Sequence, residues 1–381
     1  MKMRPSRTPA SSVTRLAILA ATVALAGALV RGQPQEPVVP AQSFQEFLEG
    51  VRVEARSLGL REETLDAALN TLTPEPVVVS RDRTQPETVQ SLDDYVAQRL
   101  STRVIASARD MARKHHDLLD KVEATYGVPG PLMIAIWGLE SNFGRFTGSY
   151  PTIRALATLA YDNRRPLFRT ELLHALTMVD RGVAPGEMKG SWAGAMGQPQ
   201  FMPSSFLKHA VDFDGDGRID IWSSTADVFG SMGQYLRNAG WTAGQRWGRE
   251  VIVAPSVLAR IDREMAMRTA GCRAIRALTV ARPLSDWQAI GVRLPGRAPL
   301  PTSPIAASLV RGQQRFFLAY PNYEALLDYN CSNSYAVAAG MLSDRIGAAA
   351  PADRPATGQR VPARSKATTK SRAPRPSRTR R

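Results

Sequence analysis

Apolar residues recur at helical spacing along most of the chain. Phe44, Phe47, Leu48 and Val51 stand three and four apart within Ser43–Leu58, and Leu60–Leu72 repeats the pattern with Glu62 and Glu63 in its first turn. Thr73-Pro-Glu-Pro76 closes that pair of helices, and Val77–Val79 is too short to assign. Leu92, Tyr95, Val96, Leu100, Val104 and Ile105 predict one long amphipathic helix over Ser91–His116. Leu118–Tyr126 predicts another, ended by Gly127-Val-Pro129. Two helices follow between Thr152 and Arg181, broken at Asp162–Pro166, and a further one spans Ala226–Ala239 before Gly240. Past Trp241 the pattern changes. Val251–Ala254, Ala277–Ala281 and Arg315–Tyr320 are short and β-prone between Pro- and Gly-rich turns, and Ser334–Ile346 returns to helix. The predicted class is mainly α (α+β), with a helical body and a small mixed or β part.

One stretch breaks the amphipathic rule. Leu132–Leu139 is apolar throughout, too greasy for a surface helix and too short to span a membrane. With Pro131 suited to the first turn and Gly144 to the stop, it reads as a buried helix ending near Glu140. A carboxylate there is partly desolvated and faces the negative end of the helix dipole. Both raise its pKa, as a general acid requires. A structural carboxylate bonded to a neighbouring loop is the plain alternative.

Composition and charge narrow the rest. The 381 residues suffice for a sizeable core and more than one subdomain. The net charge of +15 suggests nucleic acid until it is located. Five of those charges lie before residue 32 and a net nine lie after residue 350, leaving one for everything between, so no basic nucleic-acid groove is expected. Residues 1–32 read as a secretory signal, with a basic start, the apolar run Leu16–Val30 and Ala26-Gly-Ala28 as the cleavage site. No cysteine stands near that site for a lipid anchor, and the expected location is periplasmic. Residues 33–41 read as a linker. The basic segment 348–381 lacks apolar residues to bury and suits solubility or contact with anionic envelope polymers. Cys272 and Cys331 are the only cysteines; export permits a disulfide, but their separation does not show that they meet.

Two loops carry further chemistry. Lys189–Ser205 is rich in glycine, proline and small polar residues, yet Trp192, Met196, Phe201 and Met202 argue that it is packed. Such a surface suits sugar rings, apolar groups meeting their C–H faces and amides their hydroxyls. Asp212–Asp220 begins like a calcium loop, with Asp212, Asp214 and Asp216 at positions 1, 3 and 5, Gly217 at 6 and Arg218 at 7. Ser223 replaces the usual acid at position 12, so Asp227 is the substitute. An Asp/Gly-rich structural turn is the alternative.

Trp137-Gly-Leu-Glu-Ser-Asn-Phe-Gly144, Gly190–Ser205 and Tyr329-Asn330-x4-Tyr335 together resemble the lytic murein transglycosylase B family. Asp82–Glu87, Arg164-Arg165 and Trp287–Val292 add looser matches, so the likeness runs from Phe44 to Ile346. It implies a lysozyme-like catalytic region over 42–347: a helical part to 127, a core over 128–245, a small β part over 246–328 and a return helix over 329–347. It also implies cleavage of the β-1,4 bond between N-acetylmuramic acid and N-acetylglucosamine without water, leaving a 1,6-anhydro end. Peptidoglycan glycan strands are the implied partner. Glu140 matches the acid/base. Ser191, Gln200, Tyr329, Asn330 and Tyr335 match residues lining the sugar site, and Tyr95, Arg164, Arg165 and Tyr235 align with cleft positions more loosely. No cofactor is required for such chemistry; Asp212–Asp227 resembles a structural calcium loop of the family. Pro199 stands where the family often has glycine, which stiffens the loop before Gln200. A water-using muramidase, with Asp162, Glu171, Asp180 or Glu187 as second acid, is the nearest alternative. A non-catalytic wall-binding protein is another.

Overall fold

The computed structural model describes residues 42–84, 90–162 and 165–347. The expected export segment and linker, part of the Asp82–Glu87 match, Arg164 and the basic tail lie outside the described residues.

Helices begin where the sequence supplies caps. Ser43 opens α1 (Phe44–Ser57) with a capping box, its hydroxyl accepting from the Glu46 amide while the Glu46 carboxylate accepts from the Ser43 N–H. After α2 (Glu62–Leu69), the unassigned valines turn out to lie in α3 (Pro76–Thr84), which buries Val78. The single helix expected over 91–116 is two: α4 (Leu92–Arg99) and α5 (Thr102–Lys114). Leu100 leaves helical geometry, and the Ser101 hydroxyl accepts from the Val104 amide to start the second. The apolar period runs on through the break because both helices face one core, so periodicity alone could not reveal it. The chain continues through α6 (His116–Tyr126), stopped by Gly127 at φ 73, into α7 (Gly130–Ser141).

α7 is the helix read from the apolar run, and it lies in the middle of the first core. Leu132–Trp137 are all buried, and each of the large side chains among them is worth about 1.5–3 kcal/mol. Around it pack α5, α6, α11 (Thr225–Asn238) and α16 (Asn333–Ile346), with α4 held against α16. A second core joins α1–α3 to α8 (Thr152–Tyr161), α9 (Pro166–Asp180), α10 (Pro203–His209) and the glycine-rich loop. Strands β1 (Tyr150–Pro151) and β2 (Lys189–Gly190) pair antiparallel and pin that loop's entry.

The small β part is an antiparallel sheet in the order β3-β6-β5-β4, from β3 (Gly248–Val251), β4 (Arg282–Pro283), β5 (Ala306–Arg311) and β6 (Phe316–Ala319). Helices α12 (Pro255–Glu264), α13 (Arg273–Arg276) and α14 (Leu284–Ala289) lie in its connections. Leu309 and Leu318 enter a third core with Trp287, while Val310 and Phe317 enter the first. With both faces covered, β5 lacks polar alternation and was not foreseen. The strand expected over Ala277–Ala281 is instead a bend. Thr279 bridges Met267, and its hydroxyl accepts from the Leu309 amide.

The chain returns to the first core through α15 (Asn322–Tyr329) and α16. Cys272 and Cys331 are bonded, with Cα atoms 6.3 Å apart, tying the residue before α13 to the turn between α15 and α16. Closing 59 residues restricts the unfolded chain by about 4 kcal/mol in the loop-entropy picture.

Candidate active site

Glu140 sits in the last turn of α7, half-buried. Asn142 at φ 50 ends the helix, ahead of the expected stop at Gly144, and Phe143 at φ 62 and Gly144 at φ 77 continue the left-handed turn. The Ser141 hydroxyl accepts from the Gly144 amide and so fixes the exit of the chain directly after Glu140. Tyr95 of α4, Tyr329 of α15 and Tyr335 of α16 all feel the charge of the Glu140 carboxylate. Burial raises the Glu140 pKa from its ordinary 4.5 to about 7, against the opposing pull of the Tyr335 hydroxyl and the Arg99 charge. The Tyr335 hydroxyl is buried near the carboxyl but makes no hydrogen bond of good alignment. Arg99 lies with its guanidinium carbon 5.2 Å from the centre of the Tyr95 ring.

The expected glycine-rich loop is ordered by its own backbone. Ser191 and Ala195 exchange hydrogen bonds, the Ser191 N–H donating to the Ala195 carbonyl at 2.7 Å and the Ala195 N–H to the Ser191 hydroxyl at 3.1 Å. Met196 bridges both Gly190 and Phe201. Gln198 locks this loop to α7: its side-chain oxygen accepts from the Trp137 indole at 2.8 Å and its amide donates to the Trp222 carbonyl. Gln200, at φ 53, turns its amide to the carbonyls of Thr147 and Gly197. Pro199 offers its carbonyl to the Tyr329 hydroxyl at 2.7 Å, which joins the loop to α15. Tyr329 packs against both the first and the second core. Its ring lies 4.8 Å from that of Tyr235, whose hydroxyl donates to the Asp328 carbonyl and whose ring meets His209 at 4.3 Å. Burial pushes the phenols of Tyr235 and Tyr329 upward, so both stay neutral donors.

The structure therefore brings Tyr95, Tyr329 and Tyr335 to Glu140, and links Gln200 and Tyr235 to the same wall through Pro199 and Tyr329. Asn330 follows α15 as an exposed residue beside the disulfide. Arg165 pairs with the buried Asp82 at 3.3 Å; its neighbour Arg164 is outside the described residues.

In the acidic loop, Asp212, Asp214 and Asp227 each place a carboxylate oxygen within 4.8 Å of the others. The glycines at 215 and 217, both left-handed, let Asp212 accept from three successive amides, and Asp227 accepts from the amides of Phe213 and Asp220. Asp227 is buried, and burial raises its pKa, assisted by the charge of Asp214. The Asp216 carboxylate instead accepts from the Arg218 amide, and the Arg218 guanidinium reaches Glu187. Three hard oxygens, one of them buried, fit a calcium ion by chemistry.

The family described as "Transglycosylase SLT domain" matches residues 43–344. The chain belongs to this family. Within it, the chain is 32% identical over 242 residues to the membrane-bound lytic murein transglycosylase B of Escherichia coli K12, covering 61% of each chain. It thus spans about 61% of the length of that curated relative. SltB3 of Pseudomonas aeruginosa, solved in complex with NAG-anhNAM-pentapeptide, is 39% identical with a TM-score of 0.72 over 80% of each chain. The Escherichia coli lytic transglycosylase Slt35, solved in complex with calcium, is 27% identical with a TM-score of 0.64, over 80% of this chain and 92% of that one. The mainly α, lysozyme-like fold expected from the sequence is the fold of these transglycosylases.

Sequence reasoning passed over Gln198, Arg99 and Phe146. Gln198 carried a signal, since it lies inside the glycine-rich motif beside Pro199. Arg99 carried none: a basic residue in the last turn of an amphipathic helix is ordinary until its neighbours are known.

Proposed function

We propose that the chain is a lytic transglycosylase of peptidoglycan, cleaving the β-1,4 bond between N-acetylmuramic acid and N-acetylglucosamine and leaving a 1,6-anhydro end. The observation that carries this is a single half-buried carboxyl, Glu140, with its pKa near 7 and a surround of three phenols. Such a group is protonated and ionised in comparable amounts near neutrality, which suits one residue acting twice. Protonated Glu140 donates to the glycosidic oxygen as the bond to muramic C1 breaks. The substrate's own 6-hydroxyl, tethered and so effectively concentrated, attacks C1 and gives its proton to the ionised Glu140. The neutral Tyr335 hydroxyl holds a sugar hydroxyl or the carboxyl itself, Tyr329 lends its ring while its hydroxyl stays on Pro199, and Ser191, Gln200 and Asn330 orient the acetamido groups.

Most glycoside hydrolases use a second carboxylate close to the first. Each acid considered for that role is tied elsewhere: Asp162 to Arg83, Glu171 to Ser204, Asp180 to Arg61 and Thr64, and Glu187 to Arg218. None of them is among the groups that shift Glu140. This favours capture by the substrate over capture by water.

Glycan strands are the proposed partner, and the periplasm, reached by the N-terminal signal, is the proposed site of action. Among the described residues no helix is long and apolar enough to cross a membrane. Asp212, Asp214 and Asp227 are the proposed ligands of a structural calcium ion, which would relieve the mutual repulsion of the three carboxylates.

Mass spectrometry of digested sacculi tests the reaction. Anhydro-terminated fragments are expected from the native protein, and a loss of at least about a hundredfold in rate from Glu140→Gln. Reducing ends would make it a muramidase, full lytic activity in Glu140→Gln would remove Glu140 from the acid/base role, and no cleavage by the native protein would leave it a binding protein.

A further inference from the structure

We infer that Phe146 is a carbohydrate-stacking platform that extends the glycan cleft beyond the groups around Glu140. The proposal rests on the glycan-cleaving reading for the identity of its ligand.

Among the described residues Phe146 is the only exposed Phe, Tyr or Trp, at 69% exposure, whereas Phe143 three residues before it is buried against Trp137. A lone exposed apolar residue is ordinary on a protein surface. What distinguishes this one is the backbone that carries it. Three successive left-handed residues, Asn142, Phe143 and Gly144, reverse the chain out of α7, and the Phe146 N–H donates to the Ser141 carbonyl at 2.9 Å. Left-handed geometry at two non-glycine residues is unfavourable, and such strain persists where the surroundings impose it.

The next two residues lie directly on the glycine-rich loop. The Thr147 carbonyl receives the Gln200 amide at 3.2 Å. Gly148, at φ 88, approaches so closely that a Cβ there would lie 2.0 Å from the Gly190 carbonyl oxygen and 2.5 Å from the Ser191 nitrogen. The segment is thus clamped at both ends, by Ser141 beside Glu140 and by Gly190, Ser191 and Gln200. Phe146 stands between these clamps with its ring in water.

A ring carried on an ordered backbone needs no chain ordering on binding and offers an apolar face to the C–H face of a hexosamine. Neutral N-acetylated sugar rings are the class of ligand it fits. A charged or purely polar ligand would gain nothing from it.

Calorimetry in the Glu140→Gln background, which keeps the sugar intact, provides the test. The ligand is a hexasaccharide of alternating N-acetylglucosamine and N-acetylmuramic acid. Adding Phe146→Ala is expected to weaken binding about tenfold, and Phe146→Trp to restore it. Because Phe146 is exposed, circular dichroism and melting temperature should not change. Equal affinity of the Phe, Ala and Trp proteins overturns the proposal, as does an equal loss on replacing the exposed Leu167 by Ala. Product analysis with Glu140 intact is the separate check on the reaction. Phe146-dependent binding without glycan cleavage would defeat the enzymatic reading and leave the platform standing.

Discussion

Glu140 is kept in an environment that makes it costly to ionise. Its folded pKa of about 7 lies above the ordinary 4.5, so the folded protein binds the proton more tightly than the unfolded chain does. Stability from this group is therefore present at acid pH and is lost as pH rises from about 4.5 through 7. Glu140→Gln removes that penalty and is expected to raise the melting temperature at pH 8 but not at pH 4, by a free energy of up to about 3 kcal/mol. Thermal melts at the two pH values check this, and an equal effect at both would show that Glu140 is not desolvated.

The same carboxyl must be protonated to act as the acid, so activity is expected to fall as pH rises past about 7. Arg99 opposes the upward shift, joined by the Tyr335 hydroxyl, while the phenols of Tyr95 and Tyr329 complete the surround. Arg99→Gln should move the basic limb of the kcat/KM profile to higher pH by less than about one unit, because an exposed guanidinium is screened by solvent. Arg99→Lys should leave the limb in place. An unmoved limb in Arg99→Gln would place Arg99 outside the electrostatics of the site.

At the scale of elements, the acidic loop and the catalytic helix are connected by a short chain of bonds. The Gln198 N–H donates to the Ile221 carbonyl, its side chain to the Trp222 carbonyl, and its side-chain oxygen accepts from Trp137 in α7. Residues 221 and 222 lie between Asp220, which bonds Asp227, and the start of α11. Whatever orders the acidic loop thereby orders the floor of the glycine-rich loop. Adding calcium to chelator-treated protein is expected to raise the melting temperature by several degrees, and Asp227→Ala to abolish that response. Identical melts with and without calcium would leave the three aspartates as a structural turn.

At the scale of the molecule, the site belongs to no single core. Glu140 hangs from the first core through α7, the glycine-rich loop belongs to the second, and Tyr329 packs on both. The small sheet stands behind the first core. Its Val310 and Phe317 share the first core with α15 and α16, which carry Tyr329 and Tyr335. A site between two cores can be shaped by either, and the disulfide at Cys331 anchors the turn that joins α15 to α16.

What the sequence determined by itself was local or chemically marked. The Pro- and Gly-bounded apolar run and its terminal Glu140, and the glycine-rich and acidic loops were all legible, because each depends on neighbours a few residues away. The sequence pattern failed where two surfaces meet. It merged α4 and α5 because both bury in the same core, and it missed β5 because a strand covered on both faces has no alternation to read. Only the tertiary structure decided that Cys272 meets Cys331, that Gln198 bonds Trp137 across 61 residues, and that Arg99 acts on Glu140. It alone left Phe146 exposed while burying Phe143. Periodicity reports which face of an element is buried; it carries no record of which other element covers that face. The pKa of Glu140 is set by such covering groups, so its residue type was readable in the chain and its shift was a property of the fold.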